Sequence, residues 1–273
     1  MLGELEKITI FCFAASYALA LALELVLLVR PRPVLRYLAT IAGASGLLAH
    51  TAYLVTQRVS LASQAGSLLF LAWILATFYL YGSIHYRRLA WGLFVLPVVL
   101  GITILARFST SASIASGQDV LSVDPITFWN DVHISMFVLA AVGVCVAFVA
   151  SVMYLVQARR LKAKLPPGKG MRLLSLERLE SMSRRGINWA FPLLTIGLIV
   201  GLALMSQENA HLRGWTDPRV LSTIVLWLVF AIMLYLRYGF DQGGRRVALL
   251  TIMAFALLMV TLVTAHRHPG GTP

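Results

Sequence analysis

ISMFVLAAVGVCVAFVASVMYLV, residues 134–156, runs for 23 positions without one charged side chain. At 1.5 Å per residue a helix of that length reaches about 35 Å, enough to cross a hydrocarbon core of about 30 Å. Backbone groups in lipid must be satisfied within the segment, so the stretch reads as a transmembrane helix. Outward from it, the same pattern recurs until eight spans are found, near 9–29, 36–57, 66–86, 89–107, 131–157, 187–206, 219–237 and 246–265. Pro97 and Pro192 fall inside two of them, where local kinks are expected. The expected fold is an all-α integral membrane protein, a bundle of about eight transmembrane helices forming one domain over residues 1–273. The first span lacks a basic leader and a small-residue cleavage site, and it reads as a retained helix.

Composition agrees. Hydrophobic residues make up 59% of the chain and charged residues 12%, with mean hydropathy +0.82. A soluble domain carries about 25% charged residues, so this chain has too few to clothe a water-facing surface. The formal net charge of +12 does not indicate nucleic acid, because the cations lie between the apolar blocks, where they meet lipid headgroups. Cys12 and Cys145 are far apart and both sit in apolar stretches, which excludes a C-x-x-C redox or zinc motif. A multi-pass protein of the cell membrane is expected.

Seventeen of the 23 lysines and arginines fall in the odd-numbered loops. They include Arg30, Arg32 and Arg36 after the first span, Arg87 and Arg88 after the third, and nine residues between 159 and 185. Positive residues stay on the cytoplasmic side, so both termini are expected outside. The inner connection 158–186 carries Leu173, Leu176, Leu179 and Met182 at three-residue spacing among Arg and Glu. That pattern is expected to form a basic amphipathic segment on the inner leaflet, its simplest role being to set topology.

With this topology the histidines separate by side. His133 opens span five at the outer surface, His211 lies in the outer loop between spans six and seven, and His266 and His268 close span eight. His50 is embedded in span two toward its outer end, and only His85 is at an inner end. Neutral imidazoles are axial ligands for haem iron, and His133 and the His266/His268 pair come from different helices, so they can face each other. Residues two apart in a helix point to nearly opposite faces, so only one of the pair enters a shared site, with His266 nearer the span. The competing reading is that helix-end histidines are interfacial polar tips. Between them, Trp215, Asp217, Arg213 and Arg219 suit either a shelf for an aromatic plate with arginines for its carboxylates, or an ordinary interface anchor and helix start. Gly43, Gly46 and His50 share one helix face, which serves either a bulky ligand or close helix packing over small residues. No Ser/His/Asp triad, zinc spacing or phosphate loop is apparent, so the chain is not expected to be an enzyme on its own.

Three stretches together resemble the CcsA/ResC/HemX branch of the cytochrome c assembly, or haem-handling, membrane proteins. They are FWNDVHISMFVLAAVGVCVAFVASVMYL (128–155), LERLESMSRRGINWAFPLLTIGLIVG (176–201), and GWTDPRV onward from residue 214 through HRH at 266–268. Trp215, Asp217 and Pro218 stand at the end of the family's tryptophan-rich segment. The resemblance implies haem b carried on that segment at the outer surface, with His133 and His266 or His268 on the iron. It implies presentation to apocytochrome c with a ResB/Ccs-type membrane partner, as part of a haem–cytochrome c ligation complex. His50 falls where members place a membrane-embedded histidine that receives haem. Departures are the single tryptophan of the loop, Arg219-Val220 after Asp-Pro, Tyr235 at the second embedded histidine position and Gly66 for a glutamate. These match the shorter HemX-like members, which implies as the alternative a regulator of haem biosynthesis acting on glutamyl-tRNA reductase.

Overall fold

The computed structural model of the chain describes residues 9–61, 63–86, 89–113, 125–164, 173–207, 218–239 and 244–264. Among the described residues there are eight helices and no strand: α1 Ile10–Val29, α2 Pro33–Thr56, α3 Gln64–His85, α4 Gly92–Ser113, α5 Pro125–Lys162, α6 Leu176–Gln207, α7 Pro218–Gly239 and α8 Arg245–Thr264. Seven are long and apolar enough to cross a membrane, and α7 holds a shorter apolar stretch, Val220–Leu236.

Local chemistry explains the boundaries. Proline opens α2, α5 and α7, where its missing N–H needs no acceptor. Ser63 caps α3 by accepting from the Gly66 amide at 3.0 Å. Pro97 and Pro192 lie within continuous helices. Hydroxyls along the spans donate to carbonyls of their own helices, as in Thr103 to Val99 and Thr251 to Val247, each at 2.8 Å. Polar side chains thus reach lipid-facing segments already satisfied.

Two helices overrun the expected spans. α5 carries on through Arg159, Arg160 and Lys162, which form its last turn. α6 begins at Leu176, so the amphipathic stretch of the inner connection is continuous with span six rather than a separate surface helix. The reason is that nothing between 176 and 187 breaks a helix except Gly186, which is tolerated in one. Leu174 and Leu179 of that stretch are buried, and the Arg178 guanidinium lies 5.9 Å from the centre of the Tyr86 ring.

The helices divide between two compact units. The first contains α1–α4 with residues 152–162 of α5 and 176–181 of α6, and the second the rest of α5 and α6 with α7 and α8. In the first, α1 packs on α2 and α4, and α3 on α2 and α4, around fully buried Phe13, Tyr17 and Tyr79. In the second, α5 and α6 cross at Gly143 and Gly186. A Cβ added to either glycine would lie 2.7 or 2.6 Å from the other's carbonyl oxygen, so only glycine permits this approach. Phe148 stacks on Phe255 of α8 at 3.9 Å, and Trp227 of α7 donates to Thr195 at 2.9 Å. Outward faces are apolar: Phe11 is 71% exposed, Leu48 72% and Met253 64%. Such surfaces are stable in lipid and not in water. The protein is a multi-pass membrane protein.

Candidate functional site

His133 stands two turns into α5, in the second unit. Its Nδ1 is 2.7 Å from the carbonyl oxygen of Gly197 on α6. A carbonyl only accepts, so Nδ1 carries the proton and donates. In the neutral ring the lone pair is therefore on Nε2, which has no protein partner among the described residues. The ring lies against Gly201, one turn beyond Gly197. A Cβ there would meet Cε1 at 2.6 Å and Nδ1 at 2.9 Å. Gly197 likewise sits under Phe137, whose ring centre is 5.2 Å from that of His133. Two glycines spaced i, i+4 thus form a cradle in which the imidazole is half-buried, oriented and fixed in one tautomer. Sequence reasoning missed this cradle, although its signal was available as the G-x-x-x-G of GLIVG at 197–201.

His50 is placed differently. It is fully buried in the first unit, with the Phe13 ring parallel to it at 4.1 Å and 3°. Its Nδ1 is 3.4 Å from the Tyr17 hydroxyl, and its Nε2 is buried without a partner. The glycine face below it is occupied by the protein itself. The Tyr79 ring packs on Gly43, and a Cβ at Gly46 would meet Tyr17 at 2.8 Å. The face that suits a bulky ligand or close packing is thus filled by tyrosine. His85 is exposed, with Nδ1 3.0 Å from the Tyr81 carbonyl and its ring stacked on Tyr81.

The other expected site residues, Trp215, Asp217, His266 and His268, lie outside the described residues, as do His211 and Arg213. Tyr235 is 65% exposed on α7. Among the described residues no group of three or more His, Cys, Asp or Glu can hold a metal ion.

The family model described as cytochrome C assembly protein matches residues 61–265, well over half of the chain. The chain is similar to a cytochrome c biogenesis protein CcsA of Gloeobacter violaceus, with 24% identity covering 84% of this chain and 83% of that protein. It is similar to proteins of the same name from Microcystis aeruginosa, at 26% identity covering 71% and 72%, and Guillardia theta, at 28% covering 71% and 69%. No solved structure matches.

Proposed function

The chain belongs to the cytochrome c assembly protein family, and we propose that its part in assembly is to hold haem b at the outer membrane surface and present it to apocytochrome c. The observation that carries this reading is the seat of His133, with Nδ1–H committed to the Gly197 carbonyl at 2.7 Å and Nε2 without a protein partner among the described residues. Metal-ligating histidines characteristically donate their other ring N–H to a carbonyl or carboxylate, which fixes the tautomer and raises ligand basicity. The residues present on this side therefore fit an iron porphyrin, and the glycine cradle explains how the ring is kept from rotating away. When bound, haem supplies an iron that takes axial imidazoles and vinyl groups that take up the thiols of a C-x-x-C-H sequence.

The chain's own residues bind and orient. His133 would ligate the iron through Nε2, with Gly197 and Gly201 holding the ring, and His266 or His268 would supply a second imidazole. Trp215 and Asp217 would offer the porphyrin an aromatic and polar surface, with both termini outside as the distribution of Lys and Arg indicates. His50 serves as an embedded station only when Phe13 turns off its ring. A ResB/Ccs-type protein and apocytochrome c are the proposed partners. Relatives named for cytochrome c biogenesis favour this over regulation of haem synthesis.

The test is a visible spectrum of the full chain in mild detergent after adding haem and removing the unbound excess on a desalting column. A Soret band is expected in the native protein and in His85→Ala, and its loss in His133→Ala. A native protein that stays colourless, or a His133→Ala spectrum identical to the native one, overturns the reading.

A further inference from the structure

The first unit contains a cavity of about 520 Å³ at the turn from α1 to α2, and His50 is not in its lining. Its walls supply hydrogen-bond donors. Arg32 is the N-cap of α2 and Pro33 its first residue, so the first amides of the helix have no acceptor within it. Arg32, Arg36 and Thr40 follow at four-residue intervals, which puts them on one face of α2, lining the cavity. Ser83 of α3, only 8% exposed, closes the far wall 3.4 Å from the Thr40 hydroxyl. The Thr40 proton goes to the Arg36 carbonyl at 3.0 Å, so the Ser83 hydroxyl is the donor in its contact with Thr40 and braces that wall. Tyr37 stands at the rim, 58% exposed.

Charge follows the same direction. Glu24, buried on α1, interacts electrostatically with Arg36 and balances one cation, while Arg32 is exposed at the mouth. Two guanidinium groups and a helix N-terminus match an anion with several acceptor oxygens. Flanking the mouth are exposed apolar side chains, Val29 at 81% and Val34 at 65%, at the ends of two membrane-crossing helices. A phosphate held here would have acyl chains beside these residues.

We propose that this cavity binds a phosphate-bearing anion, supplied either as the headgroup of an anionic phospholipid or as a water-soluble phosphate ester. Neither source is needed for haem ligation, so the proposal stands apart from the function above.

The test uses the full chain in dodecyl maltoside, titrated with phosphatidylglycerol, phosphatidylcholine and inorganic phosphate. Phosphatidylglycerol is expected to bind at least about fivefold tighter than phosphatidylcholine, and Arg32→Gln to lose about fivefold of that affinity. Arg58→Gln, at the opposite end of α2, is expected to change nothing. If inorganic phosphate displaces the lipid with the same Arg32 dependence, the source is a soluble ester. If it does not, the source is the lipid, and either result upholds the phosphate chemistry. Equal binding of the two lipids overturns the proposal. So does an equal effect of Arg32→Gln and Arg58→Gln, which would mean attraction to overall basic charge alone.

Discussion

His50 and His133 are both histidines of membrane-crossing helices, yet their surroundings differ in every respect that decides ligation. His50 is walled in by Phe13 and Tyr17, with a long 3.4 Å contact on one nitrogen and nothing on the other. His133 is half-buried, with a short bond that names its tautomer and a glycine beneath the ring that leaves it no other seat. Burial alone thus says little about readiness to bind a metal. What matters is whether one nitrogen is committed and the other left accessible. The glycines show the same contrast: Gly43 and Gly46 admit tyrosines of the fold, whereas Gly197 and Gly201 admit the ring of the candidate ligand and its neighbour.

The comparison breaks most visibly at Gly201. Gly201→Ala puts a carbon 2.6 Å from Cε1 of His133, and the ring can yield only by leaving the Gly197 carbonyl. Haem affinity is expected to fall about 10–100-fold, the usual range for a disturbed supporting contact, with the melting temperature little changed. A haem titration beside a thermal melt reads both, and undiminished affinity would mean that the cradle plays no part.

Gly46→Ala should do the reverse. Its Cβ meets Tyr17 at 2.8 and 2.9 Å in a filled core, so a destabilisation of about 1–3 kcal/mol is expected, with outer-site haem affinity unaltered. Loss of haem without loss of stability would put the ligand on the His50 side.

The smallest effect is expected of His50→Phe. The stack on Phe13 survives and the unpartnered nitrogen disappears, while the buried Tyr17 hydroxyl loses its long 3.4 Å contact, so the two effects oppose and stability should change by less than about 1 kcal/mol. Haem added to the purified variant should still bind at the outer site. A marked drop in stability would show that the Tyr17 contact outweighs the cost of the unpartnered nitrogen.

The spans were largely legible because a run such as 134–156 leaves lipid as its only stable surroundings and helix as its only stable form. Helix ends were less so. The Lys and Arg that mark the end of a membrane crossing are good helix formers, and α5 runs on through them to Lys162. For the same reason the amphipathic stretch begins α6 instead of standing alone. His133 was legible from its position at the mouth of a span. Its carbonyl partner was not, because a contact 64 residues distant depends on how α5 and α6 cross at Gly143 and Gly186. Nor does the glycine face of α2 announce what fills it. The tyrosines that do so come from α1 and α3, and only the packed unit brings them there.

Ligation through Nε2 of His133 is tested most directly by chemical rescue. His133→Gly removes the imidazole and leaves a space of its size beside Gly201. The variant is expected to lose the Soret band of the native protein and to regain it on addition of free imidazole, while N-methylated lysine, which has no imidazole nitrogen, restores nothing. A His133→Gly protein that binds haem as the native one does, with no response to imidazole, would contradict the account.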